Sequence, residues 1–442
     1  MYFRLSSLVY LTKGCNSSLY DMKNNKIVLL DQAASQFIGH CEANNEIEAY
    51  PDYQMFQERI HLLLNQLEDW GMGKYYAAKT HIEKYRFNMP ATMKGFNTPV
   101  PYFVRVYLEL GGVCIQDCSF CDSASYSNWM GCRSCVGSKT GSPAGNMDYE
   151  AIIDVLRNLE VKELILRGGS PLLEWETLNR IAAYAAKVYE PLALTVITNG
   201  TEASFEQIKT MYEAYPGFKL NIVLFGVESV SSCADSGTEE LIAAQCRLLD
   251  RLSEAKLPVA ITLQLTGMNR DGAEEMIGAI GARWGIKPMV SEVVASDGRE
   301  QLTHIKGDAK PIARYKYEQE FFMRQQYNTC LYGVFSIDSL GNVTSCPEIR
   351  EIIGNIREEG IMSVLSKDRL YDFWEMTKNK VSHCRNCSMK YFCSDCSVFE
   401  VEANERDGLH QAYCSVAAAS DSAASIMATD FKADDFITRL YL

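Results

Sequence analysis

The spacing of hydrophobic and polar residues over the first seventy positions predicts a small α+β module. Three short runs rich in hydrophobic residues predict strands: residues 5–12, 18–22 and 26–30. Asp31 is placed to cap a helix that extends to about Cys41. From Tyr53 to Trp70, hydrophobic residues recur at helical spacing, which predicts a long amphipathic helix.

The middle of the chain instead alternates short hydrophobic runs with amphipathic segments. The predicted strands cover residues 102–110, 163–166, 192–197, 219–225, 258–265 and 287–294. The predicted helices cover residues 149–159, 174–189, 205–215, 239–255 and 272–284. This alternation is typical of a parallel sheet with right-handed connections, so the fold class is α/β and a partial (β/α)6 barrel is the expected closure. Active sites of such barrels lie at the C-terminal ends of the strands.

Composition and charge restrict the function classes. A chain of 442 residues is long enough for about two to four domains. Its net charge of −13 argues against a general nucleic-acid binder, which usually carries a basic surface. We find no secretory signal and no uninterrupted apolar run of about 18 residues, so we expect a cytoplasmic protein without a membrane span. In that compartment clustered cysteines are more often metal ligands or catalytic thiols than disulfides.

The sixteen cysteines are concentrated in two zones, and the first zone follows the first predicted barrel strand. There Cys114, Cys118 and Cys121 are spaced C-x3-C-x2-C. Three thiolates this close suit three corners of a [4Fe–4S] cluster whose fourth iron is open to a ligand. The alternative is a zinc site that borrows a fourth protein ligand.

This segment resembles the radical S-adenosylmethionine (radical SAM) enzymes, whose motif places an aromatic residue where Phe120 stands. Other stretches on later strand ends resemble the family's SAM pocket: Gly168-Gly169-Ser170-Pro171, Thr198-Asn199-Gly200 and the strand that ends at Gly226. The resemblance implies that SAM binds the open iron and yields a 5′-deoxyadenosyl radical that abstracts hydrogen. Ser170 replaces the family's usual glutamate, which leaves backbone contacts to the SAM amino group.

The second zone resembles the SPASM domain of radical SAM enzymes that modify peptides and proteins. A predicted hairpin separates its first two cysteines, and the others follow in close spacing: Cys330, Cys346, Cys384, Cys387, Cys393, Cys396 and Cys414. The resemblance implies two auxiliary [4Fe–4S] clusters, three in all with the SAM cluster. The distal cluster would take Cys384, Cys387, Cys393 and Cys414. The proximal one would take Cys330, Cys346 and Cys396, one ligand fewer than four.

Two further cysteines, Cys132 and Cys135, lie in a long polar segment between the first barrel strand and its helix. They could supply the missing proximal ligand, form a redox pair or bind nothing. A zinc ribbon is the alternative for the C-terminal zone, although such ribbons separate their CxxC pairs more widely. Cys15, Cys41, Cys233 and Cys246 have no metal spacing, so we expect buried core residues.

The N-terminal module resembles the winged-helix, PqqD-like recognition element (RRE) of peptide-modifying enzymes. That resemblance implies that a leader peptide adds a strand at the edge of Lys26–Leu30 and packs on the helix from Tyr53 to Trp70. The alternative is a winged-helix domain that only packs against the barrel.

These features together predict a radical SAM maturase of a ribosomally made peptide, with SAM as cofactor and a one-electron reductant such as flavodoxin or ferredoxin as partner. The predicted domains are residues 1–90 (RRE-like), 100–300 (partial barrel) and 301–442 (bridging region and SPASM). An open proximal iron would favour a Cys thioether crosslink in the product. The alternatives are a carbon–carbon or ether crosslink, epimerisation, formylglycine formation, or a non-catalytic zinc- or peptide-binding protein. Glu348, just after Cys346, is a candidate base, with a solvent-exposed glutamate as the alternative.

Overall fold

A computed structural model describes residues 1–14, 17–86, 103–111, 114, 118, 121, 126–135, 147–201, 204–228, 238–295, 317–382, 384–391, 393, 396–398, 401 and 437–440. The fold is mixed α/β with one large sheet. None of the helices within these ranges is long and apolar enough to cross a membrane.

The N-terminal module contains five strands and two α-helices. They are β1 (Tyr2–Leu5), β2 (Val9–Thr12), β3 (Ser17–Asp21), β4 (Lys26–Leu30), α1 (Gln32–Glu42), α2 (Tyr53–Asp69) and β5 (Gly73–Tyr76). The β2, β3 and β4 strands form an antiparallel sheet, and β1 pairs with β5. The predicted cap of α1 is confirmed, because the Asp31 carboxylate accepts a hydrogen bond from the N–H of Ala34 at 2.7 Å.

The predicted strand over residues 5–12 is wrong, because two strands with different partners replace it. The β1 strand pairs with β5, whereas β2 pairs with β3. Between them the chain turns: the carbonyl of Ser6 accepts from the N–H of Val9 at 3.0 Å, and the N–H of Ser6 donates to the carbonyl of Met72 at 2.8 Å. Hydrophobic residues stand on both sides of Ser6-Ser7, and two adjacent serines do not exclude a continuous strand, so the sequence pattern did not show the break.

The predicted strand–helix alternation in the middle of the chain is confirmed. The strands are β6 (Arg105–Glu109), β7 (Tyr126–Trp129), β8 (Glu163–Arg167), β9 (Ala193–Thr198), β10 (Phe218–Leu224), β11 (Val259–Leu265) and β12 (Met289–Ala295). The helices are α3 (Tyr149–Asn158), α4 (Trp175–Val188), α5 (Phe205–Ala214), α6 (Thr238–Glu254) and α7 (Ala273–Trp284). Six strands, β6-β8-β9-β10-β11-β12, pair in parallel. Closure of this sheet into a partial barrel stays a prediction.

The segment between β6 and α3 is more ordered than its polar sequence indicates. It contains β7, which pairs antiparallel with β12 at the edge of the sheet. The hydroxyl of Ser291 donates to Oδ1 of Asn128 at 2.9 Å, so a side-chain bond also connects β7 with β12. A 3₁₀ turn, Gly131–Arg133, follows and carries Cys132.

The C-terminal part adds three strands to the same sheet and a fourth strand to the N-terminal sheet. Its elements are α8 (Tyr317–Gln326), β13 (Val334–Ile337), β14 (Asn342–Thr344), β15 (Gly354–Asn355), α9 (Ile356–Glu359), α10 (Ile361–Leu365), α11 (Asp368–Trp374) and β16 (Ile437–Leu440). The predicted hairpin is confirmed as β13 and β14, and β13 pairs in parallel with β6. Cys330 and Cys346, which flank the hairpin, are therefore placed beside the first strand of the parallel run.

Two of the four isolated cysteines, Cys41 and Cys246, are buried as predicted, at 1% and 0% exposure. Cys15 and Cys233 lie outside the described residues. Burial raises the pKa of the Cys41 thiol from 9.0 to about 12. The folded chain therefore holds this proton more tightly than the unfolded chain, and stability should fall as the pH rises above the unfolded value.

We expect the wild type to lose about 1.4 kcal/mol of stability per pH unit between about pH 9 and pH 12, relative to Cys41→Ala. Thermal unfolding of both chains at pH 8 and in steps above about pH 9 measures this difference. Parallel pH profiles of the two chains would contradict the prediction.

Candidate functional site

The three cysteines of the C-x3-C-x2-C motif follow the C-terminal end of β6. The N–H of Cys121 donates to the carbonyl of Cys118 at 3.1 Å, which closes a tight turn within the motif. The N–H of Leu110 donates to the carbonyl of Arg167 at 2.9 Å, so the ends of β6 and β8 are aligned. The motif therefore lies beside the glycine pair that follows β8. Phe120 lies outside the described residues.

The glycine pair has a backbone that other residues rarely adopt. Gly168 and Gly169 have φ values of 96° and 58°. A Cβ on Gly168 would also lie 2.9 Å from Cβ of Glu109. The turn delivers the hydroxyl of Ser170, which donates to Sγ of Cys114 at 3.4 Å. Ser170 therefore contacts the cysteine motif itself, while Pro171 starts the 3₁₀ helix that leads the chain away.

The segments after β9 and β10 are held by internal hydrogen bonds. Thr198 accepts from the N–H of Gly200 at 3.0 Å, and Asn199 accepts from the N–H of Thr201 at 3.0 Å. The amide of Gln245, on α6, donates to the carbonyls of Asn199 and Val223, each at 2.7 Å. The side chains of Thr198 and Asn199 therefore hold the loop after β9, and Gln245 connects this loop to the end of β10. Sequence reasoning missed Gln245, because a glutamine within a helix carries no motif.

Gly226 is buried just beyond β10. The amide of Asn269 donates to the carbonyl of the preceding residue, Phe225, at 2.9 Å. This bond fixes the backbone at the third predicted pocket stretch.

The 3₁₀ turn after β7 brings Cys132 to the proximal cysteines. The Sγ of Cys396 accepts a hydrogen bond from the backbone of Met130. A Cβ on Gly131 would lie 2.5 Å from Cδ of Glu348. The turn is therefore packed between the segments that carry Cys396 and Cys346.

Electrostatics in this region are consistent with four neighbouring thiols. Burial raises the pKa of Cys346, and the charges of Cys132, Cys330 and Cys396 raise it further. Burial likewise raises the pKa of Cys396, with added contributions from Cys330 and Cys132. Cys346 and Cys396 are buried, and their ionisation is disfavoured by the neighbouring thiols, so a cationic metal centre would stabilise them in the thiolate form.

Cys135 has different neighbouring thiols from Cys132, although only two residues separate them. Burial raises the pKa of Cys135, and the thiols of Cys121 and Cys114 raise it further. The turn therefore directs Cys132 to the proximal set and Cys135 toward the first motif.

The distal cysteines form a compact loop that contacts the N-terminal sheet. The N–H of Cys387 donates to the carbonyl of Cys384 at 2.9 Å, and the N–H of Cys393 donates to the carbonyl of Met389 at 2.9 Å. The phenol of Tyr20, on β3, donates to the carbonyl of Ser388 at 2.7 Å. The predicted fourth ligand, Cys414, lies outside the described residues.

A buried ion pair connects the two cysteine regions. Arg167, at the end of β8, is fully buried and donates from Nη2 to Oε1 of Glu348 at 2.9 Å. Burial would lower the pKa of Arg167, but the carboxylates of Glu348 and Glu109 raise it above the usual range. The Glu348 side chain is 11% exposed, so the solvent-exposed alternative is wrong. Sequence reasoning missed Arg167, because an arginine at a strand end has no diagnostic spacing.

Within the described residues, no group of three or more His, Cys, Asp or Glu side chains could hold one metal ion. Zinc would require its ligands to converge on a single point. The cysteines of a [4Fe–4S] cluster bind different iron atoms and stay farther apart. The described cysteines remain compatible with clusters, and zinc remains the alternative.

The predicted leader-binding edge is not open in this structure. Strand β16 pairs in parallel with β4 over Ile27–Leu30. Across the module, Nζ of Lys26 lies 3.5 Å from the centre of the Trp70 ring, which connects the start of β4 with the end of α2.

Comparison with solved structures finds similar folds at low sequence identity. One is "anSMEcpe with bound AdoMet", at 14% identity and a TM-score of 0.49, over 66% of this chain and 89% of that one. Another is Streptococcus suis SuiB bound to its precursor peptide SuiA, at 15% identity and a TM-score of 0.48, over 89% of this chain and 93% of that one. No curated protein matches the chain.

Two family models match the chain where the cysteine motifs lie. The Radical SAM superfamily matches residues 108–280, and the SPASM iron–sulfur cluster-binding domain matches residues 329–388. The first range holds Cys114, Cys118 and Cys121, and the second holds both proximal cysteines of the hairpin. The chain therefore contains a radical SAM domain followed by a SPASM iron–sulfur domain.

Proposed function

We propose that this chain is a radical SAM maturase of a ribosomally synthesised peptide. The observation that carries the proposal is one sheet that bears both cysteine sets: the SAM motif follows β6, and the hairpin between Cys330 and Cys346 pairs with that same strand. A radical SAM domain joined to a SPASM domain supports modification of a peptide or protein.

The residues around the first motif fit a cluster and SAM. Cys114, Cys118 and Cys121 would hold three irons of a [4Fe–4S] cluster. When bound and reduced, that cluster and SAM supply a 5′-deoxyadenosyl radical that abstracts hydrogen from a core-peptide residue. The glycine pair leaves space for a close approach of SAM to the backbone. Ser170 donates to Cys114 and so holds that sulfur in place.

The loops after β9 and β10 contribute rigidity and exclude water. Thr198 and Asn199 are buried, and their side chains fix the backbone that would line the SAM pocket. Buried backbone of this kind shields a radical from solvent. Glu348 remains a candidate proton acceptor beside the proximal cysteines, held in place by Arg167.

The proximal cysteines and Cys132 fit a second cluster with four protein ligands. Cys132 is packed between the segments of Cys346 and Cys396 and influences the charge of both thiols. The distal set, with Cys414, would hold a third cluster. Electrons would come from a one-electron donor such as flavodoxin or ferredoxin.

The bond formed in the product depends on this fourth ligand. A Cys thioether crosslink is the first candidate, since a proximal cluster with three ligands leaves one iron for a substrate thiolate. The position of Cys132 favours a second candidate, in which the cluster is fully ligated. The product is then a carbon–carbon or ether crosslink, an epimer or a formylglycine. Tandem mass spectrometry of the treated precursor peptide distinguishes them, because among these products only the thioether joins a cysteine sulfur to a carbon of another residue.

The N-terminal module, residues 1–90, would bind the leader peptide at the β4 edge and along α2. Its core is separate from that of the large sheet, which supports an independent domain. Residues 100–300 would form the partial barrel, and residues 301–442 the bridging region and SPASM domain. We place the protein in the cytoplasm, with no nucleic-acid or membrane partner.

Metal analysis and SAM cleavage test the enzyme. We expect about twelve iron atoms per anaerobically reconstituted chain and reductive release of 5′-deoxyadenosine. Cys118→Ala should abolish that release, while Cys246→Ala should retain it, because Cys246 is buried within the core. Bound zinc without iron would refute the enzyme and support the non-catalytic alternative.

A further inference from the structure

The last strand of the chain occupies the position that an added peptide strand would take. The sheet order is β16-β4-β3-β2, so β16 forms one edge and β2 the other. Ile437 lies opposite Ile27, and Leu440 lies opposite Leu30, in a parallel register. The hydrogen-bonding edge of β4 is therefore covered by the chain itself.

The β4 strand does not depend on β16 for its burial. On one face, Val28 and Leu30 belong to the core of the N-terminal module. On the other face, Ile27 and Leu29 belong to a cluster that includes Phe321. Both faces of β4 are packed by these other elements, so its burial does not require β16. If it left, a preformed strand edge would remain, and such edges are templates for another strand.

The β16 strand is short and pairs with the backbone of β4 along four residues. Each backbone hydrogen bond contributes modestly to stability in water. Attachment to the same chain supplies an effective concentration on the order of millimolar. A peptide that pairs with β4 and also contacts α2 can therefore displace it.

We propose that β16 is an internal competitor for the β4 edge, and that an extended peptide must displace it to dock. Only the identity of that peptide, a leader, rests on the proposed function. If β16 covers the edge in 90–99% of molecules, the apparent affinity for a peptide falls about 10- to 100-fold.

A binding experiment with the chain's own C-terminal sequence tests this competition. The probe is a fluorescent synthetic peptide of residues 433–442 (ADDFITRLYL). We expect it to bind a chain that ends at residue 436 at least about 10-fold more tightly than the full chain. Equal affinities, or no binding to the shortened chain at about 1 mM, would overturn the proposal.

Hydrogen exchange supplies a second measurement that needs neither substrate nor activity. Prolines lack the N–H donor and disrupt strand pairing, so T438P/R439P should release β16 in the full chain. We expect faster exchange at those amides of residues 27–30 that face β16 in this variant and in the shortened chain, with no change at the amides that face β3 or in Val9–Thr12 at the other edge. The matched control T438V/R439V should keep the protection. Unchanged exchange at residues 27–30 in both altered chains would refute the pairing, whatever the enzyme modifies.

Discussion

Replacing Cys132 by alanine is expected to remove one auxiliary cluster, whereas replacing Cys135 is expected to leave it in place. Iron should fall from about twelve toward about eight atoms per chain in Cys132→Ala. The reason is geometric, because Cys132 is packed beside the segments of Cys346 and Cys396. Even partners outside the ligand shell change activity about 10- to 100-fold, so we expect at least about a 100-fold loss of peptide modification.

Cys135→Ala is the matched control for this experiment. It removes a thiol three positions along the chain, whose pKa is raised by Cys121 and Cys114 instead. Iron analysis and low-temperature electron paramagnetic resonance of both variants separate the two positions. Full iron content and unaltered spectra in Cys132→Ala would leave the proximal cluster with three ligands, and that result would return the thioether product to first place.

Replacing Arg167 by methionine should cause the largest loss of stability among single substitutions near the site. The change leaves the Glu348 carboxylate beside a buried position without its partner. Loss of one member of a buried pair costs about 3–5 kcal/mol. For a chain of 442 residues, the melting temperature should fall by about 3–5 °C.

Two companion variants identify the cause. Arg167→Met combined with Glu348→Met should recover part of the loss, because no buried charge is then left alone. Glu163→Gln alters the pair with Arg105, whose side chain is 44% exposed, and should cost at most about 1 kcal/mol. Thermal unfolding of anaerobically prepared chains compares all four. If Arg167→Met alone were as stable as the wild type, the ion pair would contribute nothing to stability.

The kinetics of Glu348→Gln separate the role of a proton acceptor from that of a structural partner. If Glu348 accepts a proton, peptide modification should fall and its pH dependence should change, while SAM cleavage without peptide is retained. A purely structural role would lower the melting temperature without altering the pH profile.

The sequence predicted the regular elements well because their hydrophobic periods are local. The predicted run at residues 26–30 coincides with β4, and the helices of the large sheet differ from prediction by at most one residue at each end. Periodicity could not show the turn at Ser6, since Ser6-Ser7 lies between Leu5 and Leu8 and two serines do not exclude a strand. It also could not separate Cys132 from Cys135, because their directions depend on a 3₁₀ turn that is packed against Glu348.

Pairings between distant parts of the chain were beyond reach for a related reason. The β16 strand is a four-residue run, and its pairing partner β4 lies near the other end of the sequence. Arg167 and Gln245 act through partners brought near by the fold. Residue spacing identified the cysteines as ligands, and tertiary structure grouped them.

The contact between the N-terminal sheet and the distal cysteine loop has a consequence for biosynthesis. Tyr20 donates to Ser388 across 368 positions of sequence, and its ring packs on Phe321. A ribosome completes β2, β3 and β4 long before it releases these partners, so the outer face of these strands stays uncovered through most of translation. Contacts of such separation form late and slowly. The distal loop therefore closes onto strands that were made much earlier, late in the synthesis of the chain.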